Sequence, residues 1–116
     1  MSFREKPKMA KIEDFMKNGF VKIGTFVPKI KVCDVIHNGN EIERGIRLAK
    51  EKDVEILLFP ELSLTGATAG DYFYSDALIS SASAEAERIA KITIDTEMLI
   101  FLGIPVKKDG RIFDAV

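Results

Sequence analysis

One cysteine, one histidine and no tryptophan stand among 116 residues. With Cys33 alone, no disulfide can form within the chain, and with only His37 beside it the usual Cys/His zinc sites are excluded. Neither sign of charge prevails: 17 basic side chains face 18 acidic ones, for a net charge of -1. That balance removes any bulk-charge case for nucleic acid or a membrane surface as partner. The basic cluster Arg4, Lys6, Lys8 and Lys11 reads as a solvated N-terminal tail. No apolar run approaches the roughly 18 residues of a membrane span. Met1–Asn18 also lacks the apolar stretch of a signal peptide, so a reducing cytoplasm is the expected location. A G-x-x-x-x-G-K-[ST] phosphate loop is missing as well.

What remains is 47% hydrophobic and 30% charged, the composition of a globular domain. Residues 1–19 read as a tail with a short helix over Met9–Asn18. Phe20–Val27 is β-branched and aromatic, which predicts a strand stopped by Pro28. Lys29–Asn38 reads as a loop. Asn38 or Asn40 is placed to cap a helix with Glu41 and Glu43 in its first turn and Ile42, Ile46 and Ala49 on one face, ending near Lys52–Asp53. Val54–Phe59 is short and almost wholly apolar, as in a parallel strand buried on both faces. A second helix is predicted from about Ser75 to Thr93, burying Leu78, Ala82, Ala86, Ile89 and Ala90, with Glu85, Glu87, Arg88 and Lys91 opposite. Met98–Val106 reads as a third strand. Lys108-Asp109-Gly110 is a hairpin turn, and Arg111–Val116 begins a fourth strand. The order βαβαββ predicts an α/β layered fold.

The chemistry concentrates in Phe59-Pro60-Glu61-Leu62-Ser63-Leu64-Thr65-Gly66. In open α/β sheets ligands bind beyond the carboxyl ends of strands, and the first charged group there is Glu61. A carboxylate partly desolvated at that point would titrate nearer neutrality and could act as a general base. Pro60 would fix the backbone before it, and Gly66 and Gly70 would allow a tight reversal after it. On residue type alone the blander reading is commoner: an acid after a strand usually pairs with a surface lysine.

The same residues resemble the nitrilase superfamily, whose members work through a Glu-Lys-Cys set and carry a motif close to F-P-E-L-x-L-T-G-Y. Phe59, Pro60, Glu61, Leu62, Leu64, Thr65 and Gly66 match it. Val21–Val27, Lys31-Val32 and Asn40 upstream, and Leu102–Val106 with Asp109–Ala115 downstream, also look like the family's pattern. Gly70-Asp71-Tyr72-Phe73 is similar to a segment of the glutaminase domain of glutamine-dependent NAD synthetases. The family tyrosine is replaced by Ala67, and Ala69 stands where cysteine is common.

The resemblance implies a partial αββα sandwich, with residues 20–116 as the truncated N-terminal portion of a carbon-nitrogen hydrolase domain. It implies Glu61 as the catalytic base. Its lysine and cysteine partners would lie beyond Val116, so the chain alone is expected to be inactive. Pro60, Thr65, Gly66, Gly70 and Asp71 would support the site loop, with Ala67 and Tyr72 at the substrate pocket. Cys33 precedes Glu61 and so falls outside the family's chain order, while Lys107 and Lys108 read as turn charges. The implied substrate is glutamine. The implied partner is a separate C-terminal synthetase domain using ATP, Mg2+ and deamido-NAD, in a homo-oligomer. No cofactor or metal is implied within this chain. Two other readings stay open: a stand-alone amidase or N-carbamoyl hydrolase, and a non-catalytic assembly module.

Overall fold

The computed structural model describes residues 19–116, so the expected helix over 9–18 lies outside the described residues. Three short strands form a parallel sheet in the order β1 (Ile23–Thr25), β2 (Ile56–Leu58), β3 (Leu99–Phe101). Parallel neighbours need long crossovers, and α1 (Val35–Glu51) and α2 (Asp76–Ile92) supply them. Both helices pack on one face. Ile42, Ile46 and Ala49 of α1 and Ala86 and Ile89 of α2 share a core with Leu57 and Phe59, flanked by Ile100. Each buried isoleucine, leucine or phenylalanine here contributes roughly 2 kcal/mol, and each alanine methyl about 0.8 kcal/mol.

The opposite face is level across the sheet. Ile23, Ile56 and Leu99 stand in one row, and Thr25, Leu58 and Phe101 in the next. Ile23 is 59% exposed there and Leu58 37% exposed. The expectation that the Val54–Phe59 strand would be covered on both faces is therefore corrected. Among the described residues one helical layer covers one side only, which makes one helix layer and one sheet of the implied four-layer sandwich.

The apolar stretch Met98–Val106 is divided rather than forming one strand. β3 ends at Phe101, and β4 (Ile104–Lys108) leaves the sheet to pair antiparallel with β5 (Arg111–Ala115). The element order is thus βαβαβββ. Asp109 and Gly110, both at positive φ (52° and 72°), close the β4–β5 hairpin as the Asp-Gly pair predicts.

Helix α1 begins earlier than expected because Asp34, not Asn38 or Asn40, caps it: its carboxylate accepts the His37 N–H at 3.0 Å. His37 and both asparagines are consequently helical, and Glu41 and Glu43 fall beyond the first turn.

On α2 two expectations invert, with Ala90 exposed and Glu85 buried. Gly39 of α1 makes room for Glu85, since a Cβ there would collide with the Glu85 carboxylate. Arg88 Nε and Nη2 donate to Glu85 Oε1 at 2.9 and 2.6 Å, and Nη1 reaches across to Glu43 Oε2 at 2.9 Å. Arg47 donates to the other Glu43 oxygen at 2.6 Å.

These bonds, Arg47's first and then Arg88's, hold the Glu43 carboxyl below its usual range. A carboxylate with a lowered folded pKa stabilises the fold above its unfolded pKa and loses that contribution as pH falls through the folded value. Acidification below about 4.5 is therefore expected to loosen the α1–α2 contact. Arg88→Ala leaves Glu85 buried without these donors and is expected to cost about 1–2 kcal/mol, discounted for the partial exposure of Arg88. In thermal melts across pH, the variant's stability should fall less steeply on acidification than wild type's. Parallel acid slopes would count against the bridge.

Candidate active site

Glu61 stands one residue past the Phe59-Pro60 end of the central strand β2, on the carboxyl side of all three parallel strands. The loop beneath it is compact. Ser63, Leu64, Thr65 and Gly66 are buried, whereas Pro60 and Glu61 are exposed. Leu62 takes a positive φ of 49°, and its carbonyl accepts the Thr65 and Gly66 N–H groups at 3.2 and 2.7 Å. Gly66 itself turns at φ 87°, the left-handed conformation that glycine adopts without strain. Ser63 Oγ donates to the Pro60 carbonyl at 2.5 Å, and Ser63 N donates to the Gly103 carbonyl at the end of β3 at 3.1 Å.

A second loop is fastened to this one. Asn38, fully buried on α1, accepts the Lys31 N–H at 2.7 Å. Its Nδ2 donates to the Lys31 carbonyl at 2.8 Å and to the Leu64 carbonyl at 2.9 Å. Cys33 N adds a bond to the Thr65 carbonyl at 2.8 Å. One carboxamide thus joins the loop after β1 to the loop after β2. From sequence Asn38 reads only as a candidate helix cap, and Ser63 carries no assigned role. A signal existed for Asn38: it precedes Ile42 by four residues, on the same stripe as Ile46 and Ala49, where a polar residue must find partners.

Of the residues expected to support the loop, Thr65 and Gly66 form its buried floor. Gly70, at φ 60°, opens the 3₁₀ turn Gly70–Tyr74, and Asp71 is exposed in its first turn. An open groove of about 630 Å³ starts at Leu62, beside Glu61, and runs between that turn and the β4–β5 hairpin past Phe73, Pro105 and Arg111. Tyr72 lines a different hollow of about 520 Å³ with Cys33 and Leu78, and Ala67 is exposed outside both.

The desolvation expected around Glu61 is not supplied by the described residues, because its side chain projects from the rim of the loop. Cys33 is half-buried at φ 63° below the loop. His37 bonds the Lys29 carbonyl through Nε2 at 2.9 Å, and Lys107 pairs with Asp76 at 2.7 Å. None of the three is brought to Glu61. Among the described residues no group of three or more His, Cys, Asp or Glu side chains converges as a metal site would.

The arrangement offers one carboxylate on a rigid loop at the mouth of an α/β sheet. A family model described as carbon-nitrogen hydrolase matches residues 18–116. The chain belongs to the carbon-nitrogen hydrolase family. The crystal structure of a glutamine-dependent NAD(+) synthetase from Cytophaga hutchinsonii superposes with a TM-score of 0.75 at 30% identity, over 81% of this chain and 16% of that one. A glutamine-dependent NAD(+) synthetase of Mycobacterium leprae (strain TN) is 24% identical over 96 residues, 83% of this chain and 14% of its own length. This family member therefore spans about a sixth or less of those relatives. Its parallel sheet with two helices is similar to the nitrilase-type domain of the Cytophaga hutchinsonii structure.

Proposed function

We propose that this chain is part of a glutamine amidohydrolase domain that supplies ammonia to an ATP-dependent NAD synthetase. The observation that carries the reading is the seat of Glu61: a carboxylate beyond the central strand, in a carbon-nitrogen hydrolase whose relatives named above are both glutamine-dependent NAD(+) synthetases.

In this reading Glu61 removes the proton from a cysteine thiol outside the 116 residues, because the thiolate is the effective nucleophile. A thioester forms on that cysteine as ammonia leaves, and water then releases glutamate. A lysine, also outside the chain, stabilises the oxyanion. The 116 residues alone therefore hold one group of the three and are inactive. ATP, Mg2+ and deamido-NAD act in a separate domain.

The test uses the intact protein with glutamine labelled by 15N in its amide, together with ATP, Mg2+ and deamido-NAD. Transfer of the label into NAD is the expected result. Glutamate release with no labelled NAD would point to a stand-alone amidase, and absence of both products would overturn the reading.

A further inference from the structure

Gly103 lies at the corner where β3 ends and the chain turns into β4, and it is buried. Unlike Gly66 and Gly70 it does not take left-handed backbone, so conformational freedom does not explain a glycine there. Space does. A Cβ on Gly103 would meet Leu62 N at 2.6 Å, Glu61 Cα at 2.7 Å and Glu61 C at 2.9 Å. All three are backbone atoms, so no side chain can swing aside to relieve the contact. The Ser63 N–H to Gly103 carbonyl bond at 3.1 Å holds the same two segments together.

We infer that Gly103 is a positioning residue for Glu61: its missing side chain lets the Pro60–Ser63 turn seat against the end of β3, and that seat sets where the Glu61 carboxylate stands. The inference rests on the reading of Glu61 as the base. The loop cannot yield at its far end. There the Asn38 carboxamide holds the Leu64 carbonyl, and Cys33 N holds that of Thr65, at 2.9 and 2.8 Å. A methyl at position 103 therefore moves Glu61 and Leu62 themselves, by roughly half an ångström, toward the scale at which ~1 Å of misplacement costs about 10²-fold in rate. Gly103 touches no reacting atom in this account. It acts through the base.

The experiment compares Gly103→Ala with wild type and Glu61→Gln in the intact protein, measuring glutamine-driven and ammonia-driven NAD synthesis. Ammonia supplied directly bypasses the base. Gly103→Ala is expected to lower the glutamine kcat about 10- to 100-fold with KM little changed and ammonia-driven synthesis intact. Equal loss of both activities, or a glutamine kcat within twofold of wild type, would overturn the inference. Should Gly103→Ala fold poorly at the usual temperature, both activities are measured at a lower temperature where its ammonia-driven synthesis equals that of wild type, and a wild-type glutamine kcat there would equally overturn the positioning role. Glutamine-driven activity retained in Glu61→Gln would instead overturn the assignment of the base, separating that failure from this one.

Discussion

Glu61→Gln in the intact protein is expected to lower glutamine-driven NAD synthesis by about 10⁴-fold or more, the scale seen when one member of a catalytic set that acts as a unit is removed. The substitution keeps the shape of the side chain and removes its capacity to take a proton. Glu61 is exposed on the rim of its loop, and no described residue pairs with its carboxylate. The change should therefore leave thermal stability within about 0.5 kcal/mol of wild type. Ammonia-driven synthesis should be unaffected, because free ammonia needs no thioester. The decisive measurement is the ratio of the two activities. If both fall together, Glu61 serves the fold or the coupling between domains and is not the base.

Asn38→Asp is expected to destabilise the protein by about 3 kcal/mol while barely changing the volume of the side chain. The native carboxamide accepts one bond and donates two, at 2.7, 2.8 and 2.9 Å. Aspartate keeps the acceptor but turns a carboxylate oxygen toward the Lys31 and Leu64 carbonyls. Two hydrogen bonds are lost and two acceptors face a third in a fully buried position. An unsatisfied buried polar group costs about 1–3 kcal/mol, and an unpaired charge more. In a domain of ordinary size the midpoint of thermal unfolding should fall by roughly 10 °C. Glutamine-driven activity should fall as well, since the bond to Leu64 anchors the loop that carries Glu61. A melt of Asn38→Asp within about 2 °C of wild type would show that the bridge between the two loops contributes little.

The contrast between these two residues shows how far a sequence can be read. Glu61 was legible because it interrupts an apolar run beside Pro60, and because the residues around it match a family motif. Asn38 looked like one of two helix caps. Nothing local says that Asp34 takes that role first, or that Leu64, 26 positions later, will present a carbonyl to it. The Glu85 error has the same origin. Helical periodicity assigns a charged residue to the solvent face. Here Gly39 leaves a gap of the right size, and Arg88 brings a compensating charge into it.

The sequence by itself determined the period of each helix, the presence of strands within Phe20–Val27, Val54–Phe59 and Arg111–Val116, the Asp-Gly hairpin and the carboxylate at the strand end. Those depend on neighbours within a few residues, where side-chain alternation, caps and turn chemistry act. Tertiary structure alone decided where Met98–Val106 breaks, which face of the sheet the helices cover, and which loop Asn38 holds. The break at Leu102-Gly103 illustrates the reason. Gly103 and Pro105 interrupt the apolar run locally, but only the fold shows that the chain leaves the sheet there, with the backbone of Glu61 and Leu62 filling the space a side chain at Gly103 would need. That constraint comes from residues about 40 positions away, and such contacts exist only once the chain has folded.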